Sequence, residues 1–102
     1  MKDSPDITKL GEDNYVTWNS EMAAWFRTKG FWLLVKGKEV MPSSDAAEQL
    51  KWKEKASKAA GSLFLAVSPA QRTTIFGGEE DNPVVMWNRL KVFYVSSVPS
   101  AR

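Results

Sequence analysis

The sequence predicts an all-α fold, a compact bundle of four to five helices, and three observations predict it. Gly and Pro fall at intervals that cut the 102 residues into helix-length segments. Within those segments aromatic and aliphatic side chains recur three and four residues apart. The residues that favour strand, Val35, Val40 and the valines from Val84 onward, show no sustained alternation. The length suits a single domain over residues 1–102, which buries roughly two thirds of its unfolded surface around one core. Hydrophobic residues at 43% and charged residues at 25% are ordinary globular usage and too apolar for a disordered chain.

The first helix is expected from about Asn14 to Lys29, with Asp13 or Asn14 as N-cap and Gly30 ending it in a left-handed conformation. At 100° per residue Tyr15, Trp18, Met22, Trp25 and Phe26 fall within an arc of about 100°, the width of a core-facing stripe. Phe31 to Val35 is an apolar stretch closed by Gly37; periodicity leaves one helical turn and an extended segment both open, and helix is the reading preferred. Asp45 followed by Glu48 reads as an N-cap with its reciprocal acid, opening a long helix to about Val67. Its core face is Trp52, Ala56, Ala59, Leu63 and Val67, where the alanines let a neighbouring helix come close. Ser68-Pro69 starts a short helix to about Phe76, before Gly77-Gly78 and the acidic loop Glu79 to Asp81. Asn82-Pro83 caps a last helix in which Trp87, Leu90 and Tyr94 repeat, and Pro99 bars it from running much past Val98. Residues 1–12 and 96–102 are expected to be flexible ends.

The chemistry of the side chains points away from catalysis. There is no His, the commonest acid/base group near neutral pH, and no Cys, so thiolate nucleophiles, thiolate metal ligands and disulfides are out of reach. Lys38 follows Gly37 without the glycine five residues earlier or the hydroxyl residue after it that a phosphate-cradling loop needs. Glu79, Glu80 and Asp81 diverge as consecutive residues and read as a solvated loop before a metal site. No cofactor, metal or small-molecule substrate is expected, and the chain is read as not an enzyme. Fourteen Lys and Arg against twelve Asp and Glu leave +2, too mild to argue for nucleic acid by charge alone. The polar start Met1 to Asp6 and apolar runs no longer than five residues predict neither a signal peptide nor a membrane span.

Lys51, Lys55 and Lys58 line one face of the long helix and are the candidate weak RNA contact. Glu48 and Glu54 stand three and four residues before Lys51 and Lys58, so surface ion pairing is the plainer account. Of the five tryptophans, Trp18, Trp52 and Trp87 sit centrally on apolar stripes and are read as core; Trp25 and Trp32 suit the rim, as packing or as interface anchors. On the last helix Val84, Val85, Val92 and Val95 cluster away from Met86 and Leu90. Either the helix has a second partner outside the domain, or it is simply central in a small bundle.

Three blocks of these residues resemble the Gag polypeptides of copia-type retrotransposons. Lys9-Leu10-Gly11, Asn14-Tyr15-Val16-Thr17-Trp18, Met22, Lys29-Gly30-Phe31-Trp32 and Val35 resemble their opening in order and spacing. The Trp-rich middle helix from Trp52 and the pattern Trp87, Leu90, Tyr94 are similar to the rest, so the likeness covers most of the chain. The resemblance implies the N-terminal lobe of a capsid protein, truncated before a C-terminal lobe, whose partner is itself. Such lobes self-associate into cytoplasmic virus-like particles that package element RNA, with RNA contact mostly in segments downstream. Tyr15, Trp18, Met22, Gly30, Trp32, Trp52, Trp87, Leu90 and Tyr94 are then signature and core positions. Val16, Asn19 and Ala23 on the outer face of the first helix, with Val85, Val92 and Val95 on the last, are the candidate assembly interface. The alternative is a host-retained capsid-like module that holds a peptide in a groove beside Trp25 and Trp32.

Overall fold

Five α-helices are found among residues 5–76 and 82–97, which are those the computed structural model describes: α1 (Tyr15–Lys29), α2 (Trp32–Val35), α3 (Ala46–Leu65), α4 (Pro69–Phe76) and α5 (Pro83–Ser97). The fold is an all-α bundle, and its boundaries follow local chemistry. Gly30 takes φ 77°, where a side chain would be strained, and the chain closes α1 with Gly30 N donating to Arg27 O (3.2 Å) and Phe31 N to Phe26 O (2.9 Å). The apolar stretch settles as one turn of helix, Trp32–Val35, capped by Phe31 and Lys36 and followed by Gly37 with φ 83°. Asp45 accepts from Ala47 N (2.9 Å) and Glu48 N (3.2 Å), and Asn82 accepts from Val84 N (3.0 Å) and Val85 N (3.3 Å), so both caps act as their sequences predict. The acidic loop Glu79 to Asp81 and the tail 98–102 lie outside the described residues.

Helix α5 is the central element. It packs against α2, α3 and α4, while Met86 and Leu90 are fully buried beside Leu63 and Val67 in the one core cluster. On α3 the buried residues are Ala56, Ala59, Ala60, Ser62 and Leu63, and the short side chains of the alanines permit the close α3–α5 contact.

Four expectations need correction. Asn14 is the N-cap of α1 and its carbonyl accepts from Trp18 N (2.9 Å), but its side chain does not cap the helix; the amide instead accepts from Gly11 N (2.7 Å) and donates to Lys9 O (3.0 Å), holding the entering turn. Glu48 does not return a bond to its cap, since its carboxylate lies 3.4 Å from the Lys51 ammonium. The long helix ends at Leu65, and Val67 forms an isolated parallel bridge with Leu10. Trp52 is outside the core. Helix α3 has 20 residues, about 30 Å at 1.5 Å each, against 15 residues for α1 and α5, so its first turns overhang the bundle. Trp52 is half-buried there, its indole N–H donating to Glu39 O at 2.9 Å.

The leading residues are not a loose end in full. Leu10 is completely buried, its N–H donates to Ala66 O (2.9 Å) and its carbonyl accepts from Ser68 N (3.0 Å). Lys9 Nζ reaches Leu65 O (2.9 Å), and Tyr94 donates its hydroxyl to Gly11 O. The physical cause is the end of α3, which has no glycine cap and leaves carbonyls that need donors. Leu10, Lys9, the Trp18 indole and Arg72 supply them, Arg72 Nε lying 2.8 Å from both Phe64 O and Val67 O.

Candidate interaction surfaces

The signature residues other than Trp52 and the capping Gly30 converge. Tyr15 stacks on Tyr94 with ring centroids 4.8 Å apart and 6° between planes, and Trp18 lies 6.3 Å from Tyr15. Trp87 then meets three rings, Trp18 at 5.8 Å, Phe26 at 5.7 Å and Trp32 at 5.6 Å, the last two edge to face. The result is a continuous aromatic spine that joins α1, α2 and α5 where their backbones are spaced by rings. Offset and edge-to-face pairs of this kind add about 0.5–1.5 kcal/mol each beyond buried area. Met22 and Leu90 pack in the same cluster, and the buried Trp18 indole donates to Ala66 O at 3.0 Å. Trp87 is half-buried, with one edge open to a depression also lined by Val16, Asn19 and Val95.

That depression gathers part of the expected assembly interface. Val16 is 81% exposed and Val95 59%, and they face it from α1 and α5. Asn19, half-buried, donates to the Tyr15 hydroxyl at 3.0 Å. Burial is the main cause that pushes the Tyr15 hydroxyl above its ordinary pKa, and the Asn19 bond works against it. Ala23 does not belong to this surface: it is only 7% exposed. Val16 and Ala23 are seven residues apart and share one line along the helix, but α2 packs against α1 and the shorter side chain is buried where the longer one is not. Val85 and Val92 lie elsewhere, with Ile75 and Phe93 in a second depression between α4 and α5; Val92 is 61% exposed. The valine side of α5 is therefore two patches on two flanks, and the helix is both central and partly uncovered.

The lysine ridge is largely paired. Lys55 holds both carboxylate oxygens of Glu39 at 2.9 Å, and Lys51 sits 3.4 Å from Glu48. The Glu39 partner was not visible in the sequence because it lies 16 residues away across the α2–α3 turn. Among the described residues no group of His, Cys, Asp or Glu is placed to hold a metal ion, and no helix is long and apolar enough to cross a membrane.

Lys58 has a different setting from its two neighbours. It stands at the lip of a groove of about 510 Å³ between α1 and α3, with Lys29 on the opposite helix and Trp25, Phe31 and Leu65 as apolar walls. Trp25 and Trp32 do not share one groove, since Trp32 faces the α1–α5 depression. The sequence placed a groove beside Trp25 but not its other walls, and it missed one signal, Gly61, a glycine inside a helix that lines the groove.

Fold and surfaces together define the chain as a five-helix, all-α bundle, counted over the described residues, with apolar patches left open on two flanks of its central helix. No protein-family model, curated protein or solved structure matches it.

Proposed function

We propose that this chain is a structural lobe of a copia-type Gag capsid protein, which self-associates into cytoplasmic particle shells around element RNA and catalyses nothing. The observation that carries the reading is the pair of separate exposed apolar patches on the two flanks of α5, Val16 of α1 with Val95 on one flank and Val92 with Phe93 on the other. Two unlike patches per subunit suit head-to-tail contacts, which generate rings or open lattices where a self-complementary patch would stop at a dimer. Further support comes from the likeness of the spine residues Tyr15, Trp18, Trp32, Trp87 and Tyr94 to the Gag pattern. RNA contact is assigned outside the lysine ridge, because Lys51 and Lys55 face carboxylates.

Sedimentation velocity with electron microscopy tests the reading. The unchanged protein forms species that grow with concentration. Val16→Asp combined with Val95→Asp abolishes that growth, and so does Val92→Asp. When the two variants are mixed each still carries one intact patch, so one-to-one dimers form and growth stops there. Assembly that survives both sets of charges overturns the proposal.

A further inference from the structure

Gly61 has no packing reason to be glycine. It lies inside the 20-residue helix α3, where glycine is less favourable than alanine because it orders a more flexible backbone. Apart from the neighbouring backbone of its own helix, a Cβ built at this position meets no heavy atom within 4 Å, and its φ is not in the left-handed range. What the missing side chain leaves open is the α1–α3 groove, whose volume of about 510 Å³ lies in the range of sites that hold a ligand. Trp25, Phe31 and Leu65 make its walls apolar, and Lys29 and Lys58 stand at its lip with no carboxylate among its lining residues. Neither lysine makes an ion pair among the described residues.

We propose that this groove binds an acidic peptide segment, seating one aromatic or branched aliphatic side chain over Gly61 while flanking carboxylates meet Lys29 and Lys58. The apolar walls select the anchor and the two cations select the charge around it. A single-stranded nucleic acid suits the groove less well on two counts. Lys29 Nζ lies 5.5 Å from the Trp25 ring centroid and covers a face that a base would need for stacking. Two cations are also few for a polyanion, whose affinity rests on several phosphate contacts at once. The inference is independent of shell building, since the groove shares no lining residue with either patch beside α5.

The test uses fluorescence anisotropy with a labelled peptide, Asp-Glu-Leu-Phe-Glu-Asp, and the whole chain. Binding is expected, weakened about tenfold or more when Ser-Ser replaces Leu-Phe, since losing a buried anchor exceeds the free energy of one decade. Gly61→Leu fills the groove and lowers affinity by a similar factor, while Tm stays level or rises and sedimentation is unchanged. Lys58→Glu, at an exposed site, also weakens binding and serves as the second variant if Gly61→Leu fails to fold. The proposal is overturned if the peptide does not bind, if the Ser-Ser peptide binds equally well, or if neither variant alters affinity. It is equally overturned if a six-nucleotide RNA binds the groove in place of the peptide and loses affinity in the same variants.

Discussion

Trp87 carries more of the bundle than its partial exposure suggests. Its ring touches one aromatic side chain from α2 and two from α1, so truncation removes a ring common to Trp18, Phe26 and Trp32. Trp87→Ala is expected to cost about 3 kcal/mol, the lower end of large aromatic truncations because one edge is already open. Urea denaturation measures it, and a cost under about 1 kcal/mol would show that the spine is not structural. Tyr94 adds a pH dependence. Burial, and then repulsion from Glu12, raise its pKa above the ordinary value near 10, and burial raises that of Tyr15. The folded state thus keeps these protons after the unfolded chain has begun to lose them. Their contribution is intact below about pH 10 and is lost as pH rises through the folded values. Urea midpoints between pH 8 and pH 11 should fall more gently for Tyr94→Phe than for the parent; equal slopes would remove Tyr94 as a cause.

At the scale of elements, the ends of helices were readable because their causes are local. Gly30, Asp45, Pro69 and Asn82-Pro83 act within a turn of themselves, and each stands where its helix stops or starts. The pairing of Leu10 with Val67 was not readable, since two apolar residues in a short polar stretch give no period and the partner is remote in sequence. Trp52 shows the complementary limit: spacing tells which face of a helix is apolar, but not whether a neighbour is long enough to cover it. Leu10 is where this leading segment is most exposed to test. Leu10→Ala removes a fully buried side chain and is expected to cost about 2–5 kcal/mol. Hydrogen exchange should show the Ser68 amide, bonded to Leu10 O, losing protection in that variant. Unchanged protection would mean the segment merely rests on the bundle.

For the whole molecule, the class of fold was legible and the working surfaces only in part. Val16, Val92 and Val95 are exposed as their spacing implied, yet the sequence could not divide them between two flanks, because that depends on where α4 and α1 lie against α5. The groove at Gly61 depends in the same way on residues of two helices about thirty residues apart being brought together. Lys55 with Glu39 is a smaller instance, a surface charge whose partner only the folded chain supplies.

The manner in which the bundle is closed has a bearing on how it is made. Leu10 waits for the end of α3, and Gly11 for the hydroxyl of Tyr94, 83 residues later. Loop closure over such spans is slow to form and brings its reward only at the end. A nascent chain leaving the ribosome therefore carries Leu10 without a berth until α3 has emerged, and Gly11 without its partner until α5 has, so a segment made ahead of these helices docks only after them.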